Sequence, residues 1–155
     1  MKVHLWCMGA NSDDWVIKGE KIYTKRLNRY LPFEYKCIQA TKNKEQRKVL
    51  EDEGKWLKTQ LETTPTKLIL LDETGPQMTS VKFSEKLDTW RQGSHKRLIF
   101  LIGSAYGFDK VVYAQADELM GLSTMTLPHQ LCRLMMLEQL YRACTILRGE
   151  SYHHE

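Results

Sequence analysis

A five-residue apolar run in the second half of the chain constrains the fold more than any other feature. Leu98–Ile102 has the length of a β-strand, is continuously apolar and is followed directly by Gly103. A strand without alternating polar residues is typical of a parallel sheet that is covered on both faces. The run therefore predicts an α/β protein, with a mostly parallel sheet flanked by helices, whose ligand site lies beyond the carboxyl ends of the strands.

Two stretches after such strand ends are candidates for the site. Gly103 and Gly107 bracket one loop, and glycine lets a backbone bend freely and approach a ligand closely. Leu122–Leu127 alternates apolar and hydroxyl residues, which predicts a second strand that ends at Pro128. The two strand ends could line one pocket. An ordinary pair of buried strands with turn residues explains the same pattern about equally well.

Apolar periodicity predicts the other elements. We expect strands at 2–8, 33–40 and 67–72, and helices at 14–30, 44–62, 80–92 and 128–147, with a short helix that Asp109 caps and that ends at 116. The last helix is apolar around its whole cylinder, and such a helix is normally buried on every side. Because one small sheet covers only one side, a second copy of the chain is the simplest candidate for the other.

Positive charge is concentrated in the first third of the chain. Residues 1–50 hold 11 Lys and Arg against 5 Asp and Glu, whereas the whole chain has a net charge of only +4. Lys18, Lys21, Lys25 and Arg29 recur at helical spacing and gather on one face. This pattern fits a surface that faces phosphates. A solvated lysine-rich helix face is the common alternative.

Composition and missing motifs exclude several classes. A length of 155 residues predicts a single domain over 1–155. No apolar stretch is long enough for a membrane span and no signal peptide is recognisable, so we expect a cytoplasmic protein. The four cysteines are widely spaced and predict free thiols, without disulfides or a metal site. The glycine-rich dinucleotide motif, the P-loop and the zinc-protease motif are all missing.

Several motifs together resemble the RlmH family of SPOUT-class methyltransferases. They are Leu-Ile-Gly at 101–103, Leu-Ser-x-x-Thr-Leu-Pro-His at 122–129, Glu-Gln-Leu-Tyr-Arg-Ala at 138–143 and Gly-x-x-Tyr-His at 149–153. The resemblance covers the whole chain in length and element order, and it is dense over 98–153. It implies a homodimer with a deep trefoil knot near the carboxyl terminus. It also implies methylation of N3 of a pseudouridine in 23S ribosomal RNA. We expect the assembled ribosome to be the substrate, because so small a protein has no separate RNA-binding domain to read a sequence.

The resemblance also implies roles for individual residues. S-adenosylmethionine is the expected cofactor, and its contacts would be Leu71, Gly103, Leu122, Ser123, Thr124, Met125, Thr126 and Leu127. The pseudouridine N3 carries a proton that something must accept, or whose loss must be stabilised. His153 is the first choice for this catalytic role, and an exposed tail histidine is the alternative. The substrate side would include His129, Arg133, Arg142 and Tyr152.

One departure from the family pattern leaves other functions open. Family members carry Gly-Gly after the Leu-Ile pair, whereas this chain has Gly103-Ser104. Serine fits such a loop if its φ is ordinary. A module that binds S-adenosylmethionine or RNA without catalysis is one alternative. A flavodoxin-like regulatory domain is another, and it predicts a monomer without affinity for the cofactor.

Overall fold

Strands and helices alternate along the chain and form one parallel sheet. A computed structural model describes residues 1–10 and 13–154. The strands are β1 (Lys2–Met8), β2 (Phe33–Ile38), β3 (Thr66–Leu71), β4 (Arg97–Ile102) and β5 (Glu118–Met120). Their order in the sheet is β2-β1-β4-β3-β5, and every pairing is parallel. The predicted α/β class is therefore confirmed.

Helices cover both faces of this sheet. They are α1 (Asp14–Leu27), α2 (Gln46–Glu62), α3 (Ser80–Gln92), α4 (Lys110–Gln115) and α5 (His129–Leu147). The apolar core on one face includes side chains of α1, α3 and α5, and the core on the other face includes side chains of α2 and α4. The sheet thus lies between two helical layers, as expected for a parallel sheet.

The apolar run that predicted the fold is the central strand, β4. Leu98 and Phe100 enter one core while Ile99 and Leu101 enter the other, and all four are fully buried. Burial of one such side chain contributes about 1.5–3 kcal/mol relative to exposure. Because β4 feeds both cores, it has no polar face, and this explains its unbroken apolar sequence.

Most of the apolar surface of helix α5 is buried within the same chain. It packs against α1 and α3, and Met136, Leu137 and Leu140 are fully buried. A second copy is therefore not needed to explain most of its apolar surface. Leu131 and Met135 remain exposed at 38% and 37%.

The predicted strand over Leu122–Leu127 is wrong. The edge strand beside β3 is β5, which ends at Met120. From there to α5 the chain forms an irregular loop. Gly121 packs so tightly on the Gly75 loop that a Cβ would lie 2.6 Å from the Gly75 carbonyl oxygen. The Ser123 hydroxyl then accepts a hydrogen bond from the Met125 amide at 3.0 Å, which fixes a turn. The other elements match their predictions apart from their ends.

The remaining structural predictions have mixed outcomes. Asp109 caps α4 as predicted, since its side chain accepts a hydrogen bond from the Val112 amide. All four cysteines have free thiols. Among residues 1–10 and 13–154, no helix is long and apolar enough to cross a bilayer, and no group of three His, Cys, Asp or Glu is placed to hold a metal. The trefoil knot stays a prediction.

Candidate functional site

A cavity of about 510 Å³ lies where the carboxyl ends of three strands meet. Leu71 at the end of β3 is in register with Ile102 of β4 on one side and with Met120 of β5 on the other. The loops that follow these strands therefore leave the sheet at the same level. The cavity has a size typical of sites for small molecules and cofactors.

The wall of the cavity after β4 is built from closely packed backbone. Gly103 is buried, and a Cβ on it would lie 2.8 Å from the Gly107 carbonyl oxygen. The Gly107 amide donates a hydrogen bond to the Ser104 carbonyl oxygen at 2.9 Å, and Gly107 has a φ of 72°. Because the loop folds back on itself, closely packed backbone borders the cavity together with Tyr106 and Phe108.

Serine is accommodated at position 104 without backbone strain. Among the described residues, only glycines have a positive φ, so Ser104 has an ordinary backbone conformation. Its hydroxyl donates a hydrogen bond to Glu53 Oε2 at 3.0 Å. Ser104 therefore fits the loop in place of the second glycine of the family pattern, because its φ is ordinary.

A polar group borders the other side of the cavity. Asp72 Oδ1 accepts hydrogen bonds from the Thr74 amide and hydroxyl at 2.8 and 2.5 Å, and Tyr113 donates its hydroxyl proton to Oδ2. Burial opposes the charge on Asp72, yet these hydrogen bonds hold its pKa below the usual value. Burial and the Asp72 carboxylate raise the pKa of Tyr113 to about 12. The cavity is thus lined by an ionised carboxylate beside a neutral phenol.

Sequence reasoning did not identify Asp72 and Tyr113. Both line the cavity, and Asp72 directly follows β3. Its place after a predicted buried strand was the available signal. No sequence signal pointed to Tyr113, because α4 brings it to Asp72 from 41 positions further along the chain.

The structure brings most of the predicted cofactor residues together. The residues of that set that line the cavity are Leu71, Gly103, Leu122, Ser123, Met125, Thr126 and Leu127. Thr124 is exposed and does not line it. His129, the first residue of α5, also borders the cavity, and burial together with Arg133 lowers its pKa.

Arg133 lies outside the cavity, where it is buried and binds backbone carbonyl groups. It is 3% exposed, and its Nη2 and Nη1 donate to the carbonyl oxygens of Met8 and Ala10 at 3.0 and 3.3 Å. These contacts hold the chain at the end of β1. The Arg133 guanidinium thus has a structural role at the end of β1.

The other predicted substrate residues form a separate group near the carboxyl terminus. Arg142 donates two hydrogen bonds to Glu138 Oε1, and the Tyr152 hydroxyl donates to the same oxygen at 3.1 Å. His153 Nδ1 lies 3.3 Å from Arg142 Nη1. Arg142 lies 13 residues after His129 on α5, which corresponds to about 20 Å along the helix. In one chain, this tail group therefore does not reach the cavity.

A second groove, of about 920 Å³, lies between the end of α2 and α4. It is larger and more open than the cavity at the strand tips. None of the predicted site residues lines it. The strand-tip cavity, where backbone approaches closely and charged and apolar groups converge, is the stronger candidate site.

Comparison with known proteins identifies the family. A family model described as "Predicted SPOUT methyltransferase" matches residues 1–153. The ribosomal RNA large subunit methyltransferase H of Cytophaga hutchinsonii is 46% identical over 155 residues, covering 99% of this chain and all of that protein. The protein of the same name from Trichlorobacter lovleyi is 39% identical over 154 residues, covering 99% of this chain and all of that protein.

A solved structure supports the fold independently. A probable methylase family protein from Haemophilus influenzae Rd KW20 superposes with a TM-score of 0.57 at 6% identity, covering 99% of this chain and 70% of that one. This likeness concerns the fold alone, because the sequence identity is so low.

The cavity fits the cofactor that SPOUT methyltransferases use, S-adenosylmethionine. The close backbone at Gly103 leaves a slot that a Cβ would disturb, and Leu71 and Leu122 offer apolar surface for an adenine ring. The carboxylate of Asp72 suits a cationic ligand. On its sequence, its fold and its cavity, this chain belongs to the SPOUT methyltransferases, in the family of ribosomal RNA large subunit methyltransferase H.

Proposed function

We propose that this protein transfers a methyl group from S-adenosylmethionine to N3 of a pseudouridine in 23S ribosomal RNA, on the assembled ribosome. One observation carries the proposal: seven of the eight predicted cofactor residues, at the end of β3, after β4 and before α5, line a single cavity. The relatives are ribosomal RNA large subunit methyltransferases, and this gives the class of RNA. A single domain over 1–155 in the cytoplasm suits this role.

The chain's own residues would bind the cofactor in defined ways. When bound, S-adenosylmethionine supplies a methyl group that its sulfonium makes reactive. Leu71, Leu122 and Leu127 would hold its apolar part, and the backbone around Gly103 would fix its position. Ser123 holds the turn that precedes α5, so it would keep the far wall of the cavity in place. Positioning of this kind is the main contribution a protein makes to group transfer.

The geometry of the tail supports a homodimer. About 20 Å of α5 separate the cavity from the group around Arg142, so the tail would border the cavity of a second copy instead. The exposed apolar side chains that would form the interface lie on α5 and at the start of α1, at Leu131, Met135 and Trp15. Such apolar exposure is typical of a surface that another protein covers.

Two residues would assist the removal of the proton from N3. His153 would accept it, and Arg142 beside it would stabilise the resulting negative charge on the base. Glu138 and Tyr152 hold Arg142 in place. His153 Nε2 is buried and has no hydrogen-bond partner in the described chain. His129, with its lowered pKa, is the competing base at the cavity itself.

The basic side of α1 would dock ribosomal RNA. Lys18, Lys21, Lys25 and Arg29 are exposed, and none of the ion pairs found in the described chain involves them. Lysine and arginine that are free of intramolecular partners are available to phosphates. The basic side would in this way recognise the shape of an assembled ribosome.

The proposal is tested by following methyl transfer. Ribosomes from a strain without the modification would be incubated with the protein and labelled S-adenosylmethionine, and the rRNA analysed by mass spectrometry. We expect one methyl group on a pseudouridine of 23S rRNA, with a rate that falls at least about 100-fold in His153→Ala if His153 accepts the proton. The same loss in His129→Ala alone would move the role to His129.

Two results would contradict the proposal. Cofactor binding by calorimetry without incorporation into any rRNA would favour a module without catalysis. Incorporation into tRNA or small-subunit rRNA would show that 23S rRNA is not the specific substrate. Ser104 gives no support to a module without catalysis, because its backbone conformation is ordinary.

A further inference from the structure

Helix α2 holds the cavity loop from outside the cavity. Glu53 is 6% exposed, and its Oε2 accepts a hydrogen bond from the Ser104 hydroxyl at 3.0 Å. Ser104 lines the cavity, whereas Glu53 does not. A single side chain thus links the second helical layer to the wall beside the cofactor site.

The next residue of α2 meets the other end of the same loop. A Cβ on Gly54 would lie 3.3 Å from Asp109 Oδ2, and Asp109 caps α4 through the Val112 amide at 2.9 Å. Two consecutive residues of one helix therefore contact both ends of the loop 103–109. Because α2 is a long helix anchored by the fully buried Leu57, it provides a rigid support for that loop.

The link continues into the loop itself. The Ser104 carbonyl oxygen accepts a hydrogen bond from the Gly107 amide at 2.9 Å, and the two residues form an isolated bridge. Gly107 in turn lies against Gly103, where a Cβ would stand 2.8 Å from the Gly107 carbonyl oxygen. A shift of Ser104 would therefore move both glycines.

A carboxyl group at position 53 has no packing advantage. Burial and the nearby Asp109 raise the pKa of Glu53, while the Ser104 hydrogen bond opposes this shift. Val49 and Leu57 are buried on the same helix, so an apolar residue would be favoured there on packing alone. A buried carboxyl group is costly unless a hydrogen bond compensates for it. The hydrogen bond to Ser104 is the compensating interaction that the geometry shows.

From this arrangement we infer that Glu53 is a positioning residue for the cofactor, which acts through Ser104 to hold the loop 103–109 in its binding conformation. The inference rests on the proposed use of this cavity for S-adenosylmethionine. It assigns a role in cofactor binding to a residue outside the cavity, and it makes Ser104 a functional contact of this chain.

A double-mutant cycle tests the inference. Glu53→Ala, Ser104→Ala and the double variant would be compared with the unmodified protein for S-adenosylmethionine affinity by calorimetry, and for hydrogen–deuterium exchange of the loop without cofactor. We expect each single variant to weaken binding about 5-fold and to speed up exchange of the Gly107 amide, as loss of one hydrogen bond implies. The double variant should be no weaker than the worse single variant.

Two further variants separate positioning from stability. Glu53→Gln keeps an acceptor for Ser104, so its affinity should stay within about 2-fold of the unmodified protein. Glu51→Ala on the same helix removes an exposed side chain paired with Arg47, and it should change neither measurement.

Additive losses in the cycle, or a lower unfolding temperature with unchanged affinity and exchange, would overturn the inference. Failure of the unmodified protein to bind S-adenosylmethionine would overturn the proposed function and, with it, the role of Glu53 in cofactor binding. The exchange data tell the two failures apart, because they report the Glu53–Ser104 coupling in the protein without cofactor.

Discussion

Gly103 faces Gly107 so closely that a Cβ on Gly103 would stand 2.8 Å from the Gly107 carbonyl oxygen. The same Cβ would lie 3.1 Å from the Phe108 ring. Real side chains essentially never approach backbone oxygen this closely, so one wall of the cavity exists only while residue 103 is glycine. The contact joins two parts of the loop that borders the cavity.

We therefore expect Gly103→Ala to weaken S-adenosylmethionine binding by at least about 10-fold and to lower stability by about 1–3 kcal/mol, the usual effect of overpacking. Calorimetry and thermal unfolding measure the two effects. Gly93→Ala is the matched control, because a Cβ there would lie 3.2 Å from the Trp90 carbonyl oxygen at the end of α3, outside the cavity. It should lose about 1 kcal/mol of stability and no affinity. Unchanged affinity in Gly103→Ala would contradict this role.

The separation between cavity and tail predicts complementation between subunits. Gly103→Ala damages the cavity and His153→Ala damages the tail, so a homodimer of either variant would have little activity when the cofactor concentration lies well below the Kd of Gly103→Ala. A mixed dimer would contain one site with an intact cavity and an intact partner tail. After exchange of subunits, the mixture should regain about a quarter of the wild-type activity, since half of the dimers are mixed and each has one of two sites. Methyl transfer to ribosomes measures this recovery.

Two outcomes would argue against sharing of the site between subunits. The mixture would stay inactive if each chain used its own tail. Light scattering that showed a monomer would exclude the dimer altogether. A mixture of Gly103→Ala with a Gly103→Ala/His153→Ala double variant is the control, because no combination of these chains holds an intact cavity.

The basic side of α1 predicts salt-dependent binding to the ribosome. Neutralising Lys18, Lys21 and Lys25 to Gln should weaken binding about 10-fold or more near physiological salt, and should lower the slope of log affinity against log salt by about 2 to 3. Cofactor affinity should not change. The matched control changes the same charge on the other helical layer, at the exposed residues Lys55, Lys58 and Lys110. Equal losses in both triple variants would mean that only net charge matters.

The sequence predicted those parts of the fold that local pattern determines. β4 is continuously apolar because it feeds two cores, and its pattern alone was sufficient. The strand expected at Leu122–Leu127 was wrong because its alternation was local, whereas the path of the chain there depends on contact with Gly75, more than 40 positions away. Such a contact leaves no trace in the periodicity.

The site shows the same division. The predicted cofactor residues came from the family motifs, whereas strand pattern alone predicted only that a ligand site lies where the ends of parallel strands meet. Arg133 could not be placed, because its partners are the backbone carbonyl groups of Met8 and Ala10, which no residue type reveals. Glu53 was likewise hidden, because its partner Ser104 lies 51 positions away on another element.

A buried histidine on β1 makes stability depend on pH. His4 is 5% exposed, and neither of its ring nitrogens has a hydrogen-bond partner in the described chain. Burial lowers its pKa from 6.5 to about 4, although the carboxylate of Glu34 opposes the shift. The native protein therefore holds His4 neutral under conditions in which the unfolded chain would protonate it.

Since the unfolded state binds this proton more readily, stability should fall as the pH drops from 6.5 towards 4 and should be unaffected by His4 above that range. The loss from this one residue is at most about 3 kcal/mol, given the size of the shift. His4→Leu removes the titrating group, so denaturant unfolding at several pH values should show a flatter dependence between pH 6.5 and 4 than in the unmodified protein. His154→Leu changes an exposed histidine instead and should leave the slope as it was. If His4→Leu had the same slope as the unmodified protein, acid sensitivity would have to come from the carboxylates.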